Sequence, residues 1–155
     1  MKTSFLIILL VAISNVNAQT GQGLKLTKHY NLENNGKAIN GYDLVSYSEN
    51  SAPKKGSKRI QEKYKGATYY FSSEGNRTKF KSNPQKYLPA YGGWCAYAMA
   101  DGKKVSVDPE TFKIVDDTLY LFYNRFFNNT LNSWNENEKG YKTRADVQWS
   151  NILGR

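Results

Sequence analysis

An α+β fold, a small antiparallel sheet with short helices packed around it, is what this sequence of 155 residues predicts, and three observations carry it. Thr68-Tyr69-Tyr70-Phe71 and the run from Thr118 to Tyr123 have the β-branched and aromatic composition of strands. Apolar residues recur at helical spacing at Phe127, Leu131 and Trp134, and again at Ala145, Trp149, Ile152 and Leu153. Strands and short helices mix without the regular βαβ alternation that a parallel sheet demands.

In chain order, Lys2 precedes an unbroken apolar run from Phe5 to Ile13, and Val16 and Ala18 occupy the small-residue positions of a signal-peptidase site. Residues 1–18 therefore read as a signal peptide, too short for a membrane anchor. With no cysteine at the cleavage site, a lipoprotein is not expected. The protein is expected to be exported, periplasmic or secreted, with a flexible leader over 19–35 and one domain over 36–153. A strand fits Lys37-Ala38-Ile39, and Gly41-Tyr42-Asp43 turns the chain into a second extended run, Leu44 to Tyr47. Pro53 and Gly56 mark an exposed loop from Ser48 to Ser57. Tyr64 to Ala67 is a turn, and the aromatic strand follows it. Ser72-Ser73 then offers a helix cap, with Phe80 as the buried contact, and Asn83-Pro84 starts another helix that ends before Pro89. Trp94 to Ala100 has good helix formers, stopped by Gly102. Strands are expected at Lys104 to Val107, Phe112 to Val115 and Thr118 to Tyr123, with Asp116-Asp117 as a tight hairpin turn. The two helical patterns close the fold. No internal repeat is visible, nor a linker that would separate two domains.

The formal net charge is +9, but its only dense patch is Lys54, Lys55, Lys58 and Arg59. We read it as a solvated surface, with weak attraction to the cell envelope or a polyanion as the alternative; export argues against nucleic acid. Cys95 is the single cysteine, which excludes an intramolecular disulfide and leaves it buried, reactive, metal-ligating or bridged to another molecule. The chain has no P-loop, dinucleotide fingerprint, His-Glu-x-x-His or Gly-x-Ser-x-Gly motif, which weighs against an enzyme without excluding one.

The stretch from Tyr64 to Leu88, with Gly41-Tyr42-Asp43 before it and Tyr91-Gly92-Gly93-Trp94-Cys95-Ala96-Tyr97 after it, resembles the YHS domain family in its exported, single-domain branch. The resemblance covers about residues 36–153. It implies that relatives attached to metal-transporting ATPases bind metal through cysteines in an Asp-Pro-Val-Cys-Gly-Met type motif and again after the aromatic strand. The corresponding positions here are Gly41-Tyr42-Asp43 and Ser72 to Asn76, with no thiol, so that soft-metal site does not carry over.

The segment Gly92 to Met99 is the strongest candidate site. Two glycines let a ligand approach the backbone, and a helix start would favour a thiolate at Cys95. If the segment is helical, Cys95 and Met99 share a face at i, i+4 and suit copper(I); the competing reading makes both core residues. Tyr42 and Asp43 could present a phenol and a carboxylate at a pocket rim, or serve turn chemistry alone. Gly92, Gly93 and Tyr97 complete the candidate ligand contacts. His29, the only histidine, lies near the leader and reads as a surface residue, with no partner to make a Cys-His hydrolase. Three functions follow: a binding module for a small molecule or a soft metal such as copper near Cys95, a thiol-dependent redox protein or enzyme, or a structural or interaction domain with Cys95 buried.

Overall fold

The computed structural model describes residues 27–50 and 52–154. The expected signal peptide and residues 19–26 of the expected leader lie outside them. Among these residues, six α-helices and three two-stranded antiparallel sheets follow in the order α1 (Leu44–Asn50), β1 (Ser57–Tyr64), β2 (Ala67–Phe71), α2 (Glu74–Ser82), α3 (Pro84–Tyr87), α4 (Ala96–Met99), β3 (Asp108–Val115), β4 (Thr118–Phe122), β5 (Asn124–Arg125), β6 (Asn128–Asn129), α5 (Thr130–Glu136) and α6 (Glu138–Leu153). The class is α+β, with the strands divided among three hairpins.

Local chemistry accounts for most of these elements. Ser73 caps α2 by accepting the Asn76 amide at 3.1 Å, and Pro84 opens α3. Asn137 caps α6 through the Gly140 amide. Each hairpin turns on two residues at positive φ: Lys65-Gly66, Asp116-Asp117 and Phe126-Phe127. That handedness matches the twist of the flanking strands.

Several expectations fail. Leu44 to Tyr47 is helix, because Asp43 Oδ1 accepts the Val45 amide at 2.9 Å and so acts as an N-cap where an extended run was expected. Trp94 and Cys95 lie outside α4; the Cys95 amide donates to Val105 O at 3.0 Å, which holds Cys95 as a bridge residue beside Leu121. Lys104 to Val107 forms no strand. Phe127 belongs to a hairpin tip, since Asn129 caps the following helix and starts it at Thr130. The expected strand at Lys37 to Ile39 is reduced to bridges from Lys37 to Thr68 and Ala38 to Leu32. β1 was missed altogether: its residues are mostly exposed and charged, so they show no apolar alternation.

Two apolar clusters form the core. Phe80 centres one, with the rings of Tyr64, Tyr69, Phe71 and Tyr87 within 6.5 Å of it, and Trp134 centres the other, against Tyr120, Phe122 and Tyr141. Residues 29–32, inside the expected leader, pack on this body. The Asn31 amide donates to Gly92 O at 2.9 Å, and the Tyr30 ring stacks on Trp149 of α6 at 6.4 Å. Gly92 lies beneath both rings; a Cβ there would stand 2.7 Å from Tyr30 Cδ1 and 3.0 Å from Trp149.

The backbone plan occurs twice. Ile39, Asn40 and Gly41 are three successive residues at positive φ, and so are Tyr91, Gly92 and Gly93. Each run ends in the same way, with the Tyr42 amide bonded to Ile39 O and the Trp94 amide to Tyr91 O. Asp43 and Cys95 come next, each immediately before a short helix. The hairpins β1–β2 and β3–β4 then have the same strand lengths and the same irregularity, Ser57 opposite Phe71 before Gln61 opposite Tyr70, and Asp108 opposite Phe122 before Phe112 opposite Leu121. A repeat that the side chains conceal is thus present in the backbone.

Candidate functional site

Asp43 and Cys95 mark the same point of the two repeats, and each receives the amide of the residue that follows the second strand of its hairpin. In the first repeat that amide is Ser72 N, 2.8 Å from Asp43 Oδ2. In the second it is Tyr123 N, 3.4 Å from Cys95 Sγ. The side chain at this point ties the start of the short helix to the end of the hairpin.

Asp43 is fully buried and saturated. Oδ1 caps Val45, while Oδ2 also accepts Ser72 Oγ at 2.6 Å and Asn76 Nδ2 at 2.7 Å. Four donors on one carboxylate make a structural knot, consistent with turn chemistry. Tyr42 does point outward, donating its hydroxyl to Glu110 Oε1 at 2.7 Å under the Lys55 ammonium, which stands 4.1 Å from its ring centroid. That hydrogen bond holds the Tyr42 phenol above its ordinary range, with burial adding to it.

Cys95 has no exposed surface, yet it lies in the lining of a cleft of about 290 Å³ together with Tyr97, Asp101, Lys103, Tyr123 and Thr130. Thr130 Oγ1 is 3.4 Å from Sγ and donates its single hydrogen to Tyr123 O at 2.9 Å. Toward the sulfur that hydroxyl can only accept, so the thiol donates to Thr130 and receives the Tyr123 amide. Cys95 packs in the Phe80 cluster and Met99 in the Trp134 cluster. Tyr97 borders the cleft with its ring 4.9 Å from that of Tyr141.

Gly92 and Gly93 face away from this cleft, toward Tyr30, Ile39 and Trp149. They permit close packing: a Cβ on Gly93 would stand 2.6 Å from Ile39 Cδ1. Gly92 also borders a second cleft, of about 360 Å³, between Tyr91, Tyr120, Trp149 and Asp146. Its Tyr91 hydroxyl is committed to Asp146 Oδ1 at 2.8 Å, and burial first and that bond second push the phenol well above its usual value.

His29 lies close to the Cys95 segment through its backbone. Trp94 Nε1 donates to His29 O at 2.6 Å, and Lys104 Nζ stands 3.3 Å from His29 Nδ1. A lysine ammonium only donates, so this contact requires a neutral imidazole with Nδ1 bare. Burial, then Lys104 and Lys28, lower the His29 pKa in the same sense. Among the described residues, no three His, Cys, Asp or Glu side chains converge as a metal site. Thr130, Tyr123, Lys103 and Asp101 complete the cleft around Cys95. Sequence reasoning missed all four: Tyr123 and Thr130 reach the cysteine from beyond the second hairpin, and Asp101 and Lys103 from the loop after α4.

Residues 51–91 match the family model of the YHS domain. No curated protein and no solved structure matches the chain. The matched segment spans β1, β2, α2 and α3 and ends before Cys95. Among the described residues, no helix is long and apolar enough to cross a membrane.

Proposed function

We propose, from a chain that carries a YHS domain at residues 51–91, that this protein is a non-catalytic binding module whose ligand occupies the cleft over Cys95. One observation carries the reading: at the point of the repeat where the first unit fills its junction with a saturated carboxylate, the second sets a thiol into the lining of a cleft. Tyr97, Ala98, Val105 and Tyr123 supply apolar wall, and Asp101 and Lys103 supply opposite charges at the rim. Such a lining suits a small molecule with an apolar body and a charged group. The test is a thermal-shift screen of small organic fragments against the wild type and Ala98→Trp, which fills the cleft from one wall. Fragments that raise the wild-type Tm are expected to leave the variant unmoved; equal shifts in both would overturn the assignment.

A soft metal ion such as copper(I) is the second reading, favoured by the position of Sγ beneath the cleft, since thiolate is the ligand that copper(I) selects. Binding would require loss of the thiol proton and separation of Sγ from Thr130. Anaerobic copper(I) titration against a competing chelator is expected to show one ion, weakened at least about 100-fold in Cys95→Ser and little in Met99→Leu, because Met99 packs in the other cluster. Equal affinity in Cys95→Ser would remove copper. A thiol-dependent redox function is the less favoured reading, because Cys95 has no exposed surface and its sulfur is engaged by Thr130 and Tyr123. Export by way of residues 1–18 belongs to the same proposal, and the N-terminal sequence of the purified protein tests it.

A further inference from the structure

The turn between β5 and β6 carries Phe126 and Phe127, which are 88% and 111% exposed. Both have left-handed backbone, at φ 52° and 63°. A bulky residue at positive φ is an outlier, and a two-residue turn of this hand prefers Asn-Gly. The hairpin therefore holds two aromatic rings in water on a backbone that suits neither, and Phe127 takes no part in the helical face its spacing suggested.

The size of the tip limits what can cover it. Each ring offers roughly 150–250 Å², so the pair falls short of the roughly 600 Å² that each side of even a small specific protein interface buries. A bilayer interface needs no complementary surface and accepts aromatic rings individually. Charge points the same way. Arg125 is exposed beside the rings, and exposed Lys103 shares a cleft with Asn128 at the foot of the turn, where Asp101 is the one acidic lining residue. Lys104, next in the chain, is exposed as well. The whole sequence carries +9.

We propose that the β5–β6 hairpin is a membrane-surface anchor: Phe126 and Phe127 enter the headgroup–acyl boundary of an anionic bilayer while Arg125 and Lys103 meet its lipid phosphates. Aromatic insertion and basic residues together supply the two signals that stable anchoring takes. The cleft over Cys95 would then open beside the lipid surface, although the anchor does not depend on any ligand there.

The experiment is co-sedimentation with vesicles of equimolar phosphatidylglycerol and phosphatidylcholine, and of phosphatidylcholine alone. The protein is used as its host leaves it, with the N-terminus read by mass spectrometry. Binding to the anionic vesicles is expected, weakening as salt rises from about 0.1 to 0.5 M. F126N/F127G should bind at least about tenfold more weakly while keeping a Tm equal to or above that of the wild type, because Asn-Gly suits the turn. Absence of wild-type binding, or equal binding by the variant, would overturn the anchor. So would sedimentation velocity without lipid in which the variant dissociates a dimer that the wild type forms, which would assign the tip to a second copy of this chain.

Discussion

Removing the fully buried Asp43 carboxylate takes the acceptor from the buried Val45 amide and from the part-buried bonds of the Ser72 amide, the Ser72 hydroxyl and the Asn76 side chain. Asp43→Ala is therefore expected to lower stability by at least about 3 kcal/mol in urea unfolding, and a loss under about 1 kcal/mol would show that water replaces the carboxylate. Cys95, at the equivalent point of the other repeat, holds only one amide and one hydroxyl. Sequence alone could place Asp43 either at a pocket rim or in a turn, because both uses favour a carboxylate after glycine and tyrosine. What decided between them was the distant Ser72-Asn76 pair, brought in by the hairpin. The role of Cys95 was equally hidden, since its partners Tyr123 and Thr130 lie on elements whose approach no local pattern announces.

Ion pairing links β3 to α6, where Lys113 bridges to Glu138 and Glu138 Oε2 accepts Trp134 Nε1 at 3.1 Å. The Lys113 bond, with help from Trp134 and against the opposing effect of burial, holds the Glu138 carboxyl below its ordinary value of 4.5. A lowered folded-state pKa means that the stabilisation is complete above the unfolded value and fades as pH falls through the folded one. Glu138→Gln keeps an acceptor for the indole and should cost up to about 1 kcal/mol at pH 7, a gap that closes as the pH drops below 4.5. A gap independent of pH in thermal melts would mean that packing, not charge, joins the two elements. Elements whose signal was local were legible: α2 from Ser73 and Phe80, α3 from Asn83-Pro84, β2 from its aromatic run, and α6 from its spacing. Those that failed were decided by neighbours. α1 depends on Asp43, Cys95 is held out of α4 by Val105, and β1 exists because β2 pairs with it.

At the scale of the molecule, the repeat explains why the α+β class was readable while its arrangement was not. Ile39-Asn40-Gly41 and Tyr91-Gly92-Gly93 share a backbone hand but hardly a residue, and Asp43 and Cys95 share a position but no chemistry. Duplicated geometry of this kind leaves little trace in composition or periodicity. A YHS match confined to 51–91 fits that divergence, since it covers the hairpin of the first repeat and stops short of the thiol of the second. Gly92, lying under Tyr30 and Trp149, joins the earliest described residues to the last helix at a single point. Tyr30 and the last helix therefore close on each other like a clasp. Separating Tyr30 from Trp149 opens the cover over Gly92, whichever of the two is pulled away.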